Sequence, residues 1–308
     1  MGDFKTADAA SYASLAEAFA RFSLITTQPL ARAVVDEAAL QPGERVLDIG
    51  TGSGIVAIEA AGRLGANGRI VGVDLSRQML TQAARHARSA PGHDRIALAE
   101  TDAEHLPFAA ATFDCVVSLF ALLHFPNPSQ ALAEMRRVLK PGGRLVLGIG
   151  SRPPLTSWKG LRHYASRVPD AIAERTGRLL VAPAFLEGVV AGVIPEQHDQ
   201  EETDLASNRA TRVPETLRLV RDAGFIGLRP DWSAHQIAFD DIDQFWELQR
   251  TYSSIARKRL NLATPAQEAE VRRRFTSECR AVLGRGGRLV YHYAAFLIAA
   301  RLADSRHQ

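Results

Sequence analysis

Three glycines at alternate positions, Gly50, Gly52 and Gly54, follow an aspartate, Asp48, that closes a short apolar run. A glycine turn lets a ligand lie on the backbone and lets the chain take φ > 0. A helical pattern opens near Ile55, so free N–H groups and the positive end of a helix dipole face the same spot and favour a carboxylate or phosphate. Asp48 adds a negative charge beside it. A site with both an anion hole and a carboxylate suits a zwitterion better than a pyrophosphate. A second acid, Asp74, ends the run from Gly68 twenty residues beyond Gly54, where a carboxylate at a strand tip can bind a ribose diol. The dinucleotide pattern G-x-G-x-x-G/A fails from Gly50 and passes from Gly52, with Ala57 third. That register starts two residues late and leaves Asp48 and Gly50 without a role, so an NAD-dependent oxidoreductase is only a remote alternative.

The elements that must position these residues alternate. Val46 to Ile49 reads as a strand buried on both faces, followed by a helix. Gly68 to Val73 is a second strand, and Ser76 can cap the next helix, with Met79 one turn inside it. A third strand, Arg95 to Glu100, leads to Thr101-Asp102-Ala103-Glu104-His105. A fourth, Phe113 to Ser118, leads to His124 and a helix from Ser129 to Leu139. A fifth runs from Leu145 to Ile149. This alternation indicates a doubly wound α/β parallel sheet.

The ordered set VLDIGTGSG, VGVDLSRQML, TDAEHLPF, FDCVVSLFALLHF and LKPGGRLVLGI resembles the class I S-adenosylmethionine-dependent methyltransferases, in particular the branch with the quinone-biosynthesis C-methyltransferases and many small-molecule methyltransferases. The resemblance covers about residues 40 to 150, with a looser echo at Arg218 to Phe225. It implies a seven-stranded, mostly parallel Rossmann-like methyltransferase sheet of order 3-2-1-4-5-7-6, with strand 7 antiparallel and helical cap insertions. It also implies S-adenosylmethionine as cofactor, with S-adenosylhomocysteine as product. Asp48, Gly50, Gly52 and Gly54 would hold the methionyl part, Asp74 the ribose hydroxyls and Met79 the adenine face. Asp102 would accept from the adenine amino group, the Ala103 backbone would read the adjacent ring nitrogen, and Ser118 would lie where the methionyl amino group is contacted. Asp102 also reads as a turn cap and Met79 as plain core. His124 reads either as a general base for the acceptor's proton or as a structural hydrogen-bond partner.

With 46% hydrophobic and 23% charged residues over 308 positions, the chain has ample material for a folded core. Cys115 and Cys279 form no framework and read as free thiols. The start shows no basic segment followed by an apolar one, so a cytoplasmic enzyme is expected. A net charge of +3 with scattered arginines gives no nucleic-acid footprint. No histidine pair has metal-ligand spacing, so no metal is expected.

The outer segments should choose the acceptor, a small, largely apolar molecule. Residues 1–40 are expected as helices covering the cofactor, with Tyr12 able to touch it, and 41–150 as the cofactor-binding core. Residues 151–212 form a substrate-cap insertion, whose 197–212 end is polar and loop-like. Residues 213–308 complete the sheet, with a helical insertion at 240–285. The apolar run 179–194 is too short and broken for stable membrane insertion; it lines an acceptor pocket or forms a homodimer surface. Phe245, Trp246 and Tyr252, with Trp158 and Tyr164, are expected around the acceptor. A family member that binds the cofactor without methylating, catalysing a rearrangement or cyclisation, is the alternative function.

Overall fold

The computed structural model describes residues 15–151, 158–194 and 213–303. Tyr12 and the polar 197–212 segment lie outside them. The described chain forms two compact units, one of residues up to 151, 213–233 and from 294 onward, the other of 158–194 and 234–293.

The first unit opens with α1 (Ala16–Thr26) and α2 (Gln28–Ala38). Leu30, Ala31, Val34, Val35 and Ala38 recur at helical spacing and are all buried, which gives α2 one inward face. Next come β1 (Arg45–Ile49), α3 (Ile55–Ala61), β2 (Arg69–Asp74), α4 (Arg77–Arg88), β3 (Ile96–Glu100), β4 (Phe113–Leu119), α5 (Pro128–Val138) and β5 (Leu139–Gly150). Val46, Leu47 and Ile49 have no exposed surface. Both faces of β1 are therefore covered, as a near-continuous apolar strand of a parallel sheet requires. It pairs in parallel with β2 and β4, Val46 standing between Ile70 and Cys115. Local chemistry sets where the helices begin. The Ser76 hydroxyl accepts from the Met79 amide to open α4, and the Asn127 side chain accepts from the Gln130 amide to open α5.

The second unit holds α6 (Trp158–Ser166), α7 (Val168–Arg175), β6 (Leu179–Ala182) and α8 (Ala184–Ala191). The chain then supplies α9 (Val213–Asp222) and β7 (Phe225–Phe239), and afterwards α10 (Ile242–Tyr252), α11 (Ser254–Asn261), α12 (Pro265–Gly284) and β8 (Arg288–Leu302). The sheet runs β3-β2-β1-β4-β5-β8, with β7 on β8. β8 is antiparallel to β5, Gly148 facing Leu297. This is the expected order, β7 and β8 being the sixth and seventh strands of the sequence reading. The addition is β6, parallel to the first residues of β8, Leu179 facing Arg288.

Aromatic packing fills the second unit. Phe245 and Phe275 are fully buried with ring centroids 5.9 Å apart, and Phe185 lies 5.0 Å from Phe275. Trp246 meets Phe275 edge-on at 4.9 Å. Phe245 and Trp246 are thus core side chains, not cavity walls, because the helix face that carries them packs on α12 and α8. Tyr252 instead stacks on Tyr291, at 5.5 Å. Trp158 stands 75% exposed. Of the five aromatics expected around an acceptor, Phe245 and Trp246 share one buried cluster, Tyr252 stacks elsewhere, and Trp158 and Tyr164 are exposed.

Candidate functional site

The carboxyl ends of β1, β2 and β4 meet at the glycine turn. The turn is pinned on every side. The Thr51 amide donates to the Val73 carbonyl at 2.9 Å, and the Gly52 amide donates to Asp74 Oδ2 at 2.9 Å. The Ser53 and Ser23 hydroxyls lie 2.6 Å apart, tying the turn to α1, and the Ser53 carbonyl lies 3.0 Å from His86 Nδ1.

The glycines do different jobs. At Gly50, with φ +67°, a side-chain carbon would lie 2.2 Å from the Ala121 methyl, so the exit of β4 fills that space. At Gly54 it would meet Ala83 of α4 at 3.0 Å. At Gly52, φ +54°, the nearest atom would be the Met79 methyl at 3.5 Å, an ordinary contact. Gly52 is therefore the open position, with Met79 beside it. The three glycines are thus required for different reasons, Gly50 and Gly54 by the close approach of Ala121 and Ala83.

Two carboxyl groups stand next to this opening. Asp48 is 1% exposed; one oxygen accepts from the Thr51 hydroxyl at 2.6 Å, while Oδ1 has no hydrogen-bond partner. Burial pushes its carboxyl up to about 7. Burial also raises Asp74, against the pull of the Ser76 and Gly52 amides and of a charge on His124. Each Asp74 oxygen accepts one of those amides at 2.9 Å, and the carboxylate keeps acceptor capacity for a diol. A buried carboxylate with an unused oxygen is costly unless a cation or donor meets it. This opening fits a ligand with positive charge, an anionic end for the N-terminus of α3, and an apolar face for Met79.

The other expected residues lie around the same edge. Asp102 Oδ1 accepts the Glu104 amide at 2.9 Å, so the turn-cap reading is realised, and Oδ2 lies 3.4 Å from His105 Nδ1. Ala103 is buried. The Ser118 hydroxyl donates to the Ile49 carbonyl at 2.8 Å, tying β4 to β1. His124 is half-buried in a short 3-10 turn, its amide donating to the Ala121 carbonyl at 2.9 Å. Cys115 and Cys279 are buried free thiols, both pushed up to about 12 by burial.

Three contributors escaped the sequence reading: Thr51, Ser53 and Ala121. Hydroxyls alternating with the glycines of the turn were a usable signal for the first two. Nothing marked Ala121, because its role is a contact across the sheet. Among the described residues no group of three His, Cys, Asp or Glu could hold a metal ion.

A methyltransferase-domain family model matches residues 47–147. A ubiquinone/menaquinone biosynthesis C-methyltransferase of Geotalea uraniireducens is 37% identical over 133 residues, 43% of this chain and 57% of that protein. A demethylmenaquinone methyltransferase of Porphyromonas gingivalis is 31% identical over 185 residues, 60% of this chain and 75% of that protein. The chain spans about half the length of the first curated relatives it matches. Among solved structures, the 4+2 cyclase SpnF superposes with a TM-score of 0.51 at 22% identity, over 90% of this chain and 82% of that one. The YcgJ protein of Bacillus subtilis gives 0.51 at 18% identity, over 89% and 98%. Both are likenesses of fold. The match across three quarters of a relative's length joins a sheet order and a glycine turn of the same kind, and the chain belongs to the class I S-adenosylmethionine-dependent methyltransferases.

Proposed function

We propose that this chain transfers a methyl group from S-adenosylmethionine to carbon or oxygen of a small, largely apolar, quinone-like molecule. The observation that carries the reading is the buried Asp48 oxygen without a partner, beside the open Gly52 turn. S-adenosylmethionine brings a cationic sulfonium and ammonium to two crowded carboxyl groups, and a carboxylate to the start of α3. In this reading Asp48 and the Gly50–Gly54 turn hold the methionyl part. Asp74 takes the ribose hydroxyls with its remaining acceptor capacity, Met79 covers the adenine, and Asp102 with the Ala103 amide reads its edge. Ser118 serves by fixing the end of β1 through Ile49. The quinone-like class is supported by relatives named for ubiquinone and menaquinone methylation.

The bound cofactor supplies an electrophilic methyl poised for in-line displacement. The chain's own residues then need to align the acceptor and exclude water, which lowers the barrier by several kcal/mol on the order of magnitude of oriented intramolecular reactions. In this reading His124 takes the acceptor's proton, and the resulting cation is stabilised by Asp74. The test is calorimetry with S-adenosylhomocysteine, followed by methyl-labelled donor and a panel of reduced, demethylated quinones and simple phenols. Binding heat with label in a quinol supports the proposal. Heat without label in any acceptor points to the non-methylating alternative, and no heat at all removes the site.

A further inference from the structure

We infer that the exposed face of α6 and α7 is a docking surface for an anionic lipid bilayer. Five large apolar side chains that stand exposed among the described residues fall within one fifteen-residue stretch: Trp158, Leu161, Tyr164, Val168 and Ile172. Trp158 is 75% exposed and Ile172 58%. Trp158, Leu161, Val168 and Ile172 are spaced by three, seven and four residues, the interval that keeps side chains on one side of a helix. The less exposed residues Gly160, His163, Arg167 and Asp170 recur at the same helical interval through both helices, away from the apolar set. A concentration of exposed apolar surface like this marks a contact site.

Charge identifies what the face contacts. From Trp158 to Arg178 there are five basic residues, Lys159, Arg162, Arg167, Arg175 and Arg178, against Asp170 and Glu174. Asp170 is buried, with Arg288 bound to it at 2.9 Å, so it offsets little of the surface charge. Arg162, Arg175 and Arg178 are exposed. Tryptophan and aliphatic side chains rimmed by arginine suit the lipid interface. The apolar groups enter the boundary between headgroups and acyl chains, and the cations meet lipid phosphates. A second copy of the same face fits poorly, because a two-fold contact would set arginine against arginine. No helix among the described residues is long and apolar enough to cross a membrane, so the contact is with the surface. An apolar acceptor of the kind proposed above dissolves in the same phase, but the docking stands without it.

Flotation of the full chain with vesicles of phosphatidylcholine, with and without phosphatidylglycerol, tests this. The chain should float with the anionic vesicles and detach as salt is raised. Trp158→Ser with Ile172→Ser should cut that partitioning about tenfold, as should Arg162→Glu with Arg175→Glu. Should a variant melt early, quenching of tryptophan fluorescence in the unsubstituted chain by brominated anionic lipid gives a second readout. Absence of both flotation and quenching with anionic vesicles overturns the inference. So does partitioning that both double variants leave intact. A concentration-dependent dimer in sedimentation velocity, broken by Ile172→Ser, would give the face to a second copy and overturn it as well.

Discussion

Asp48 sits in a place where its charge is expensive, and this makes the cofactor-free protein sensitive to pH. Burial raises its carboxyl to about 7, so the folded chain holds this proton more tightly than the unfolded one. The stability it lends is complete below about pH 4 and is lost as pH rises through about 7. Asp74, raised in the same direction, adds to the slope. Asp48→Asn keeps the shape and removes the titration. We expect its unfolding free energy without cofactor to fall less than the parent's between about pH 5 and 8, by a difference on the order of 2–4 kcal/mol at the alkaline end, Asp74 keeping its own share of the slope. The same variant should bind S-adenosylmethionine at least about tenfold more weakly by calorimetry. The glycines separate similarly. Gly52→Ala should fold, at a cost of about 1 kcal/mol, and lose cofactor affinity, whereas Gly50→Ala collides with Ala121 and should fail to give a stable protein. Residue types and spacing in the sequence mark this turn as a candidate ligand site. They could not tell the three glycines apart, because that depends on Ala121 and Ala83, which come from other elements.

At the scale of elements, strands β1 to β4 were readable because each is a short apolar run bounded by turn formers, whereas of β5 only Leu145–Ile149 was, its first half being the polar Leu139–Arg144 stretch. The helix start at Ser76 carried its own cap, while the next helix, read from Ser129, is capped at Asn127. β6 was hidden. Leu179 to Ile194 is apolar on all sides, and such a run has no period to tell a four-residue strand from the start of a helix. The insertion expected as one or two helices is three, broken at Ser253 as well as near Asn261. Ser253 takes an extended backbone (φ −87°, ψ 104°), its side chain accepts from the Ala256 amide, and its hydroxyl donates to Glu187 at 2.6 Å. Ser253→Ala should therefore lower stability by about 1–2 kcal/mol in denaturant melts, while Phe275→Ala, which empties the centre of the aromatic core, should cost about 3–5.

The whole molecule was the least legible scale. Residues 151–212 and 240–285 look like separate insertions in the sequence, yet the described parts of both contribute to one compact unit. The Leu186 amide donates to Gln249 at 3.0 Å, and Phe185 packs on Phe245 and Phe275. An amphipathic pattern shows that a face will be buried without saying against which distant partner. Adding S-adenosylhomocysteine should slow amide exchange at residues 50–55, 74–79 and 102–106; equal slowing throughout 234–293 would contradict a site built on the sheet's carboxyl edge. The fit of Ala121 against Gly50 reaches further than local packing. His124 follows three residues later on the same β4 exit, its amide bonded to Ala121. A methyl acceptor that displaces this histidine must therefore strain the floor under the donor. The two ligands would sense each other through one interlocked pair of loops, and saturation with either should change the dissociation constant of the other by a reciprocal factor.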